Sequence, residues 1–117
     1  MIVTGLTWLG VRPADHAATV ALFRDVLALE VRELTPSFAW FQLPNGDQVE
    51  VFGPEEADHG FFTTGPVAGF QVVDIDEARR ELEAAGVEVI GEMHGAPGGR
   101  WTHFRGPDGT VYEITGP

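Results

Sequence analysis

The amino-acid sequence predicts an α+β fold of two tandem βαβββ modules, which together form an incomplete barrel around a cleft. The stretch FAWFQLPNGDQVEVFGP (38–54) has the same plan as WTHFRGPDGTVYEITGP (101–117). Each turns through Pro-Asn-Gly or Pro-Asp-Gly and places a glutamate four residues after the glycine. Each is also preceded by a strand, a helix and a further strand in the same order. Because chance seldom produces a repeat of this length, we infer a duplicated module.

The first module occupies residues 1–53. Residues 2–11 are rich in β-branched and aromatic types, which is typical of a strand. Asp15 is placed to cap a helix that ends near Leu29, because apolar residues recur along it at three- and four-residue spacing. The remaining strands are expected near 31–35, 38–43 and 48–52, and the last two are joined by a Pro44-Asn45-Gly46-Asp47 turn.

A connector, residues 54–66, leads into the second module, residues 67–117. Asp74 is expected to open its helix with Glu77 three residues later, as in a capping box, and Gly86 to end it. The other elements expected are a strand at 67–73, a strand at 87–91, a flexible stretch HGAPGGR and a hairpin turning through Pro107-Asp108-Gly109-Thr110. We expect residues 1–117 to form a single domain.

The composition restricts the kinds of partner. The chain has 117 residues, of which 44% are hydrophobic, and a formal net charge of −11. This charge argues against nucleic acid and against an anionic membrane surface, since both require basic protein surfaces. The absence of cysteine excludes disulfides, thiolate catalysis and cysteine-ligated zinc. The first apolar run is short and ends at Arg12-Pro13, so we expect a cytoplasmic protein without a membrane segment.

Side-chain alternation predicts which residues line the cleft. Glu50 and Glu113 each stand between two apolar residues of their strand. If those neighbours pack under the helix of the module, both glutamates point into the cleft. By the same alternation the cleft also carries Phe38, Trp40, Trp101 and His103. A concave apolar surface with a few polar groups is typical of a small-molecule site.

Three segments resemble the vicinal oxygen chelate superfamily, which includes glyoxalase I, extradiol dioxygenases, fosfomycin-resistance transferases and bleomycin-resistance proteins. They are WLGVRPAD…LFRDVLALEV, VAGFQVVDID…AAGVEV and FRGPDGTVYEI. The resemblance covers essentially the whole chain. Members of this superfamily often pair, so the resemblance also implies a homodimer.

Metal-dependent members of that superfamily carry a histidine or glutamate at four positions, which are occupied here by Trp8, Glu50, Val67 and Glu113. Two of these residues are apolar. The resemblance therefore implies that the usual metal site is lost and that no cofactor binds. Trp8 is then expected to line the ligand pocket, and Val67 either lines it or fills, as a core residue, the space left by the lost ligand. An alternative is a non-standard divalent metal site of Glu50, Glu113 and His103.

Two functions stay open. The first is a metal-free binding protein for a small molecule, and the tryptophan faces and carboxylates favour an aromatic or cationic ligand. The second is a lyase or isomerase in which His103 and Glu113 act as acid and base, since a histidine with a carboxylate partner can serve as a general base near neutral pH.

Structural interpretations compete with both functions. The glutamates could be solvated strand residues, the aromatic residues could be core packing, and His103 could be a hydrogen-bonded structural residue. The other histidines, His16, His59 and His94, are expected at the surface, although His59 and His94 could border the cleft entrance.

Overall fold

The computed structural model describes all 117 residues and contains eight strands and two helices. The strands are Val3–Val11 (β1), Glu30–Thr35 (β2), Phe38–Gln42 (β3), Gln48–Phe52 (β4), Val67–Val72 (β5), Val89–Ala96 (β6), Gly99–Arg105 (β7) and Val111–Gly116 (β8). The helices are His16–Ala21 (α1), which continues as a π-helical segment over Leu22–Val26, and Ile75–Ala84 (α2). The predicted α+β class and the twofold βαβββ order are confirmed. Neither helix has the length and apolar character needed to cross a membrane.

The chain forms two compact units. The N-terminal unit comprises residues 8–66, and the C-terminal unit comprises residues 1–7 and 67–117. Strand β1 contributes to both, because its residues up to Thr7 belong to the C-terminal unit and those from Trp8 to the N-terminal unit. The connector, residues 54–66, belongs to the N-terminal unit.

In the N-terminal unit the strand order is β2-β3-β4-β1, with β1 parallel to β4 and the other pairs antiparallel. Val20 of α1 packs in a buried cluster with residues of β3 and β4. The strand residues of that cluster are Ala39, Phe41 and Val51. Since alternate strand residues face opposite sides, the set Phe38, Trp40, Glu50 and Phe52 lies on the other face, which we call the Glu50 face.

Helix α1 is shorter than the predicted helix because it widens into the π-helical segment. The Asp15 side chain caps it as predicted, by accepting a hydrogen bond from the backbone N–H of Ala18 at 3.0 Å. The Leu27 N–H then donates to Leu22 O at 3.0 Å, and Ala28 ends the segment with a φ of 55°. The wider turn leaves part of the predicted apolar stripe exposed, namely Leu22, Val26 and Leu27.

In the C-terminal unit the strand order is β1-β5-β8-β7-β6, with β5 parallel to β8. Asp74 caps α2 as predicted by accepting the N–H of Glu77 at 3.0 Å, and the helix ends before Gly86, which has a φ of 79°. The core beneath α2 is a buried cluster of Val72, Ile75, Ala78 and Ile114. By strand alternation, residues 67, 101, 103 and 113 lie on the face away from this core.

The prediction of a flexible HGAPGGR stretch was wrong. Strand β6 continues to Ala96 and β7 begins at Gly99, so these residues form the tight end of a hairpin. Gly95 adopts a φ of 83°, and a Cβ at this position would lie 2.2 Å from Gly99 O. The glycines therefore serve the close approach of two strands, whereas the sequence alone suggested freedom of movement.

Candidate functional site

The two repeated glutamates occupy equivalent positions in their units. Each lies directly across from a glycine on the parallel neighbouring strand and from a ring-bearing residue on the antiparallel neighbour. For Glu50 these neighbours are Gly10 and Trp40, and for Glu113 they are Gly69 and His103. The duplication predicted from the sequence therefore extends to the immediate surroundings of both carboxyl groups.

In the N-terminal unit, the side chain of Trp8 is hydrogen-bonded to that of Glu50. The indole Nε1–H donates to Glu50 Oε1 at 3.0 Å. The ring reaches it by lying across Gly10, where a Cβ atom would stand only 2.1 Å from Trp8 Cη2. The ring of Phe62, in the connector, packs edge-on against the indole with centroids 6.1 Å apart. Gly10 is thus the residue that allows this hydrogen bond, a role that the sequence analysis did not identify.

The other two predicted ligand-binding residues of this unit lie on β3. The guanidinium carbon of Arg32 lies 5.8 Å from the centroid of the Trp40 ring, within cation–π range. The Trp40 Nε1–H is buried and makes no hydrogen bond. Phe38 contacts Phe52 with ring centroids 5.6 Å apart. The Glu50 face is therefore largely aromatic.

The connector adds an aromatic cluster that the sequence analysis missed. The imidazole of His59 stacks on Phe52 with ring centroids 3.9 Å apart, and its Nδ1 lies 2.9 Å from Glu56 Oε2. Phe61 and Phe62 pack against each other and against this imidazole. His59 was predicted at the surface, but its side chain is only 21% exposed. The aromatic run HGFF, which follows the paired glutamates at 55–56, was the available signal.

In the C-terminal unit, His103 and Glu113 form a buried pair. His103 Nε2 lies 2.9 Å from Glu113 Oε2, and the two side chains are 2% and 6% exposed. Burial lowers the pKa of His103 to about 4 and raises the pKa of Glu113 to about 8, because a charge is poorly solvated in this environment. At neutral pH the favoured state is a protonated Glu113 beside a neutral His103. Such a pair can both donate and accept a proton.

The remaining predicted site residues of this unit differ in exposure. Trp101 is 36% exposed and stacks on His94, with ring centroids 5.9 Å apart. The ring of His94, which is exposed as predicted, lies 6.4 Å from that of His103. Val67 is completely buried. Trp101 is thus the predicted ligand-binding residue of this unit that solvent reaches most easily.

Neither unit by itself fits a metal ion. Trp8 and Val67 offer no ligand atom, because an indole N–H only donates and a valine side chain is apolar. One oxygen of Glu50 already accepts the indole hydrogen bond. Within each unit, no group of three or more histidine, aspartate or glutamate side chains is placed to hold a metal. The alternative set of Glu50, Glu113 and His103 draws on both units and stays a prediction, as does the cleft that the two modules would share.

Comparison with known proteins identifies the family. A model of the Glyoxalase/Bleomycin resistance protein/Dioxygenase superfamily matches residues 5–114. The chain belongs to this superfamily. The resemblance inferred from the sequence motifs is thereby confirmed. A search of curated protein sequences found no match.

Solved structures of this superfamily share the fold. Methylmalonyl-CoA epimerase from Mycobacterium tuberculosis is 21% identical, with a TM-score of 0.72 over 98% of this chain and 89% of that chain. A Streptomyces coelicolor methylmalonyl-CoA epimerase in complex with 2-nitronate-propionyl-CoA is 20% identical, with a TM-score of 0.71 over 98% of both chains. A superfamily member from Vibrio splendidus is 21% identical, with a TM-score of 0.64 over 92% of this chain and 94% of that chain.

Proposed function

We propose that this superfamily member is a metal-independent binding protein for a small planar aromatic or cationic molecule. The observation that carries the proposal is the hydrogen bond from Trp8 to Glu50. The superfamily resemblance assigns both positions to metal ligands, yet here an aromatic donor holds the carboxylate. An indole and a carboxylate in contact form a surface suited to an organic ligand.

The residues around that hydrogen bond support an aromatic or cationic ligand. Three partly exposed aromatic rings lie beside one carboxylate, those of Trp8, Phe38 and Trp40, and the buried rings of Phe62 and Phe52 pack against Trp8 and Phe38. A tryptophan face over a cation contributes roughly 0.5–2 kcal/mol. The net charge of −11 also attracts cations and repels anions. We also propose that Trp101 contacts a ligand in the C-terminal unit, and that the protein is a homodimer that acts in the cytoplasm.

Two matched probes test this function, the cation N-methylacridinium and its neutral analogue acridine. Wild-type protein is expected to bind both, with the cation bound more tightly, as followed by quenching of tryptophan emission. Glu50→Gln is expected to reduce the preference for the cation, while Glu55→Gln, at an exposed glutamate of the connector, leaves it unchanged. Failure of both probes and of other planar aromatic molecules to bind would contradict the proposal.

Metal analysis supplies an independent test. Protein purified without chelators is expected to contain no stoichiometric divalent metal by elemental mass spectrometry. A stoichiometric ion that disappears in His103→Ala would replace the binding-protein proposal by the metal site of Glu50, Glu113 and His103.

A second candidate function is an isomerase or lyase that moves a proton next to a carbonyl group. The observation that favours it is the His103–Glu113 contact of 2.9 Å, in which a neutral imidazole can accept a proton while a protonated carboxyl group donates one. The fold shared with methylmalonyl-CoA epimerase is consistent with such chemistry.

Deuterium incorporation from heavy water tests this second function. Methylmalonyl-CoA is incubated with the protein, and uptake of deuterium at the carbon between its two carbonyl groups is followed by mass spectrometry. Uptake that is lost in both His103→Ala and Glu113→Gln would establish proton transfer by this pair. Uptake equal to that of a protein-free sample would argue against methylmalonyl-CoA as its substrate.

A further inference from the structure

The N-terminal unit contains a cavity of about 510 Å³ between its helix and the end of strand β2. The residues that line it lie between positions 16 and 36, so the cavity belongs to this unit alone. They include His16, Ala17, Val20 and Arg24 on the helical side and Leu34 on the strand side. A cavity of this size can hold a small organic molecule.

The cavity forms because α1 does not cover the end of β2. Leu34 is paired directly with Ala39 of β3, so both side chains point to the same face of the sheet. Ala39 packs in the buried cluster with Val20 of α1, whereas Leu34 is 48% exposed. The cavity therefore has apolar walls that solvent reaches, and it lies on the opposite side of the sheet from the Glu50 face.

The imidazole of His16 brings a hydrogen-bond donor to this cavity. Its Nδ1 is buried and makes no hydrogen bond, and its Cγ would lie only 3.3 Å from a Cβ atom at Gly53. Nε2 is not among the buried atoms of the ring. Because a buried N–H without an acceptor is costly, we expect the neutral ring to carry its proton on Nε2. A ligand oxygen can accept that proton.

Arg24 supplies a charged donor. Its guanidinium donates from Nε and Nη2 to the two carboxylate oxygens of Asp25 at 2.8 and 2.9 Å, which leaves the N–H groups of Nη1 available. The Arg24 side chain is 42% exposed, so a ligand can reach it. Since a guanidinium has five N–H donors, Arg24 can bind a second carboxylate while it keeps Asp25.

The ionisable residues that line the cavity are both basic. None of the 18 aspartate and glutamate residues of the chain lines it, whereas His16 and Arg24 do. The net charge of −11 opposes an anion, but charges more than about 8 Å away are largely screened at physiological ionic strength. The local charge therefore favours an anionic group at Arg24.

The two donors stand at opposite ends of the apolar wall. Arg24 follows His16 by eight residues, which is somewhat over two helical turns or roughly 11 Å. Ala17 and Val20 lie between them on the helix, and Leu34 faces them from β2. A ligand that uses both donors must therefore be elongated, with an apolar middle.

We propose that this cavity is a second binding site, which takes an elongated aliphatic carboxylate with an acceptor oxygen at its far end. The carboxylate binds Nη1 of Arg24, the chain packs against Val20 and Leu34, and the far oxygen accepts the Nε2–H of His16. This site is independent of the ligand proposed for the Glu50 face, because it lies across the sheet and selects the opposite charge.

Three probes of similar length test the site: monomethyl suberate, octanoate, which lacks the far oxygen, and dimethyl suberate, which lacks the charge. Binding is followed by ¹H–¹³C correlation spectra, in which the methyl signals of Ala17, Val20 and Leu34 are expected to shift. Ala17→Phe, at an exposed helix position, is expected to fill the cavity and to abolish binding of all three.

Two substitutions separate the two donors. His16→Leu is expected to weaken monomethyl suberate roughly two- to tenfold, as for one net hydrogen bond, and to leave octanoate unchanged. Arg24→Gln is expected to weaken both carboxylates by a similar factor and to leave dimethyl suberate unchanged. Arg80→Gln, at an exposed position of α2 in the other unit, removes the same charge and is the control without effect.

Each part of the proposal can fail separately. Methyl signals that do not respond to any probe would refute the site. Unchanged carboxylate binding in Arg24→Gln would refute its preference for an anion, and equal losses of monomethyl suberate and octanoate in His16→Leu would refute the hydrogen bond from His16. N-methylacridinium is expected to bind equally well in the presence of monomethyl suberate. Its failure to bind would contradict the function proposed for the Glu50 face and leave this site standing.

Discussion

Burial at His103 and Glu113 opposes charge on both side chains. In the unfolded chain these groups take their ordinary pKa values of 6.5 and 4.5, so near pH 7.5 both have released their protons. The folded pair still holds one proton there, because the pKa of Glu113 is raised to about 8. Where the native state binds more protons than the unfolded state, stability falls as pH rises. Between pH 4.5 and pH 6.5 the two shifts act in opposite directions and largely cancel.

The first prediction concerns this pH dependence. The free energy of unfolding of the wild type, measured by urea denaturation, is expected to fall from pH 6.5 to pH 8. Glu113→Gln is expected to lack this part of the decline, because glutamine stays neutral throughout. The variant must be compared with the wild type because a second group contributes to the pH dependence of both proteins. Glu81 raises the pKa of the Met1 ammonium group above its ordinary value of 8.0. Equal slopes in the two proteins would show that Glu113 is ionised in the native state at pH 7.

The second prediction concerns Gly10. Gly10→Ala is expected to displace the Trp8 ring, because the new methyl group would overlap Cη2 at 2.1 Å. Overpacking of this kind destabilises by about 1–3 kcal/mol. Tryptophan emission should shift to longer wavelength, and the urea midpoint should fall. Gly5→Ala on the same strand is the control, since its Cβ would meet only Thr7 Cγ2 at 3.7 Å. Similar effects of the two substitutions would contradict the proposed role of Gly10.

At the scale of elements, the predictions that succeeded depend on local rules. Alternation placed Val49 and Val51, the neighbours of Glu50, beneath the helix, and the cap residues Asp15 and Asp74 accept hydrogen bonds as expected. The failures arise where tertiary contacts decide the conformation. The glycines of HGAPGGR complete a hairpin between β6 and β7. The connector is held by hydrogen bonds from Arg12 and by stacking of His59 on Phe52. These contacts join residues distant in the sequence, so a local pattern does not predict them.

The third prediction concerns the cap of α2. Asp74→Ala is expected to lower the free energy of unfolding by about 0.5–2 kcal/mol, because the N–H of Glu77 loses its acceptor. Asp74→Asn should restore most of the stability, since an asparagine side chain can accept the same bond. Chemical denaturation of both variants tests this. Equal losses in the two variants would assign the effect to the charge of Asp74 and not to its hydrogen bond.

At the scale of the whole molecule, the sequence was sufficient to predict the duplication. It predicted only some of the residues that surround the two glutamates. Matching hairpins sufficed to place Glu50 and Glu113 at equivalent positions. The partners of these residues differ, however, because Trp8 reaches Glu50 from β1 whereas His103 reaches Glu113 from β7. The hydrogen bond from Trp8 depends on the space above Gly10, and a sequence pattern does not show which ring will fill such a space.

The fourth prediction concerns the beginning of the chain. The C-terminal unit uses the first residues, since the Val73 N–H donates to Ile2 O at 3.2 Å and the Thr4 hydroxyl donates to Gln71 O at 3.3 Å. Removal of residues 1–6 is expected to accelerate amide hydrogen exchange in β5 while leaving β3 unchanged. Exchange should be followed by mass spectrometry. Unaltered protection of β5 would show that these residues contribute little to the unit.

The division of β1 between the two units has a consequence for synthesis of the protein. Residues 1–7 find hydrogen-bond partners in and beside strand β5, which is translated only after the whole N-terminal unit, residues 8–66. During that interval the backbone of residues 1–7 lacks its partner strand. A chaperone that shields unpaired strand edges would therefore act on this segment until β5 has been made.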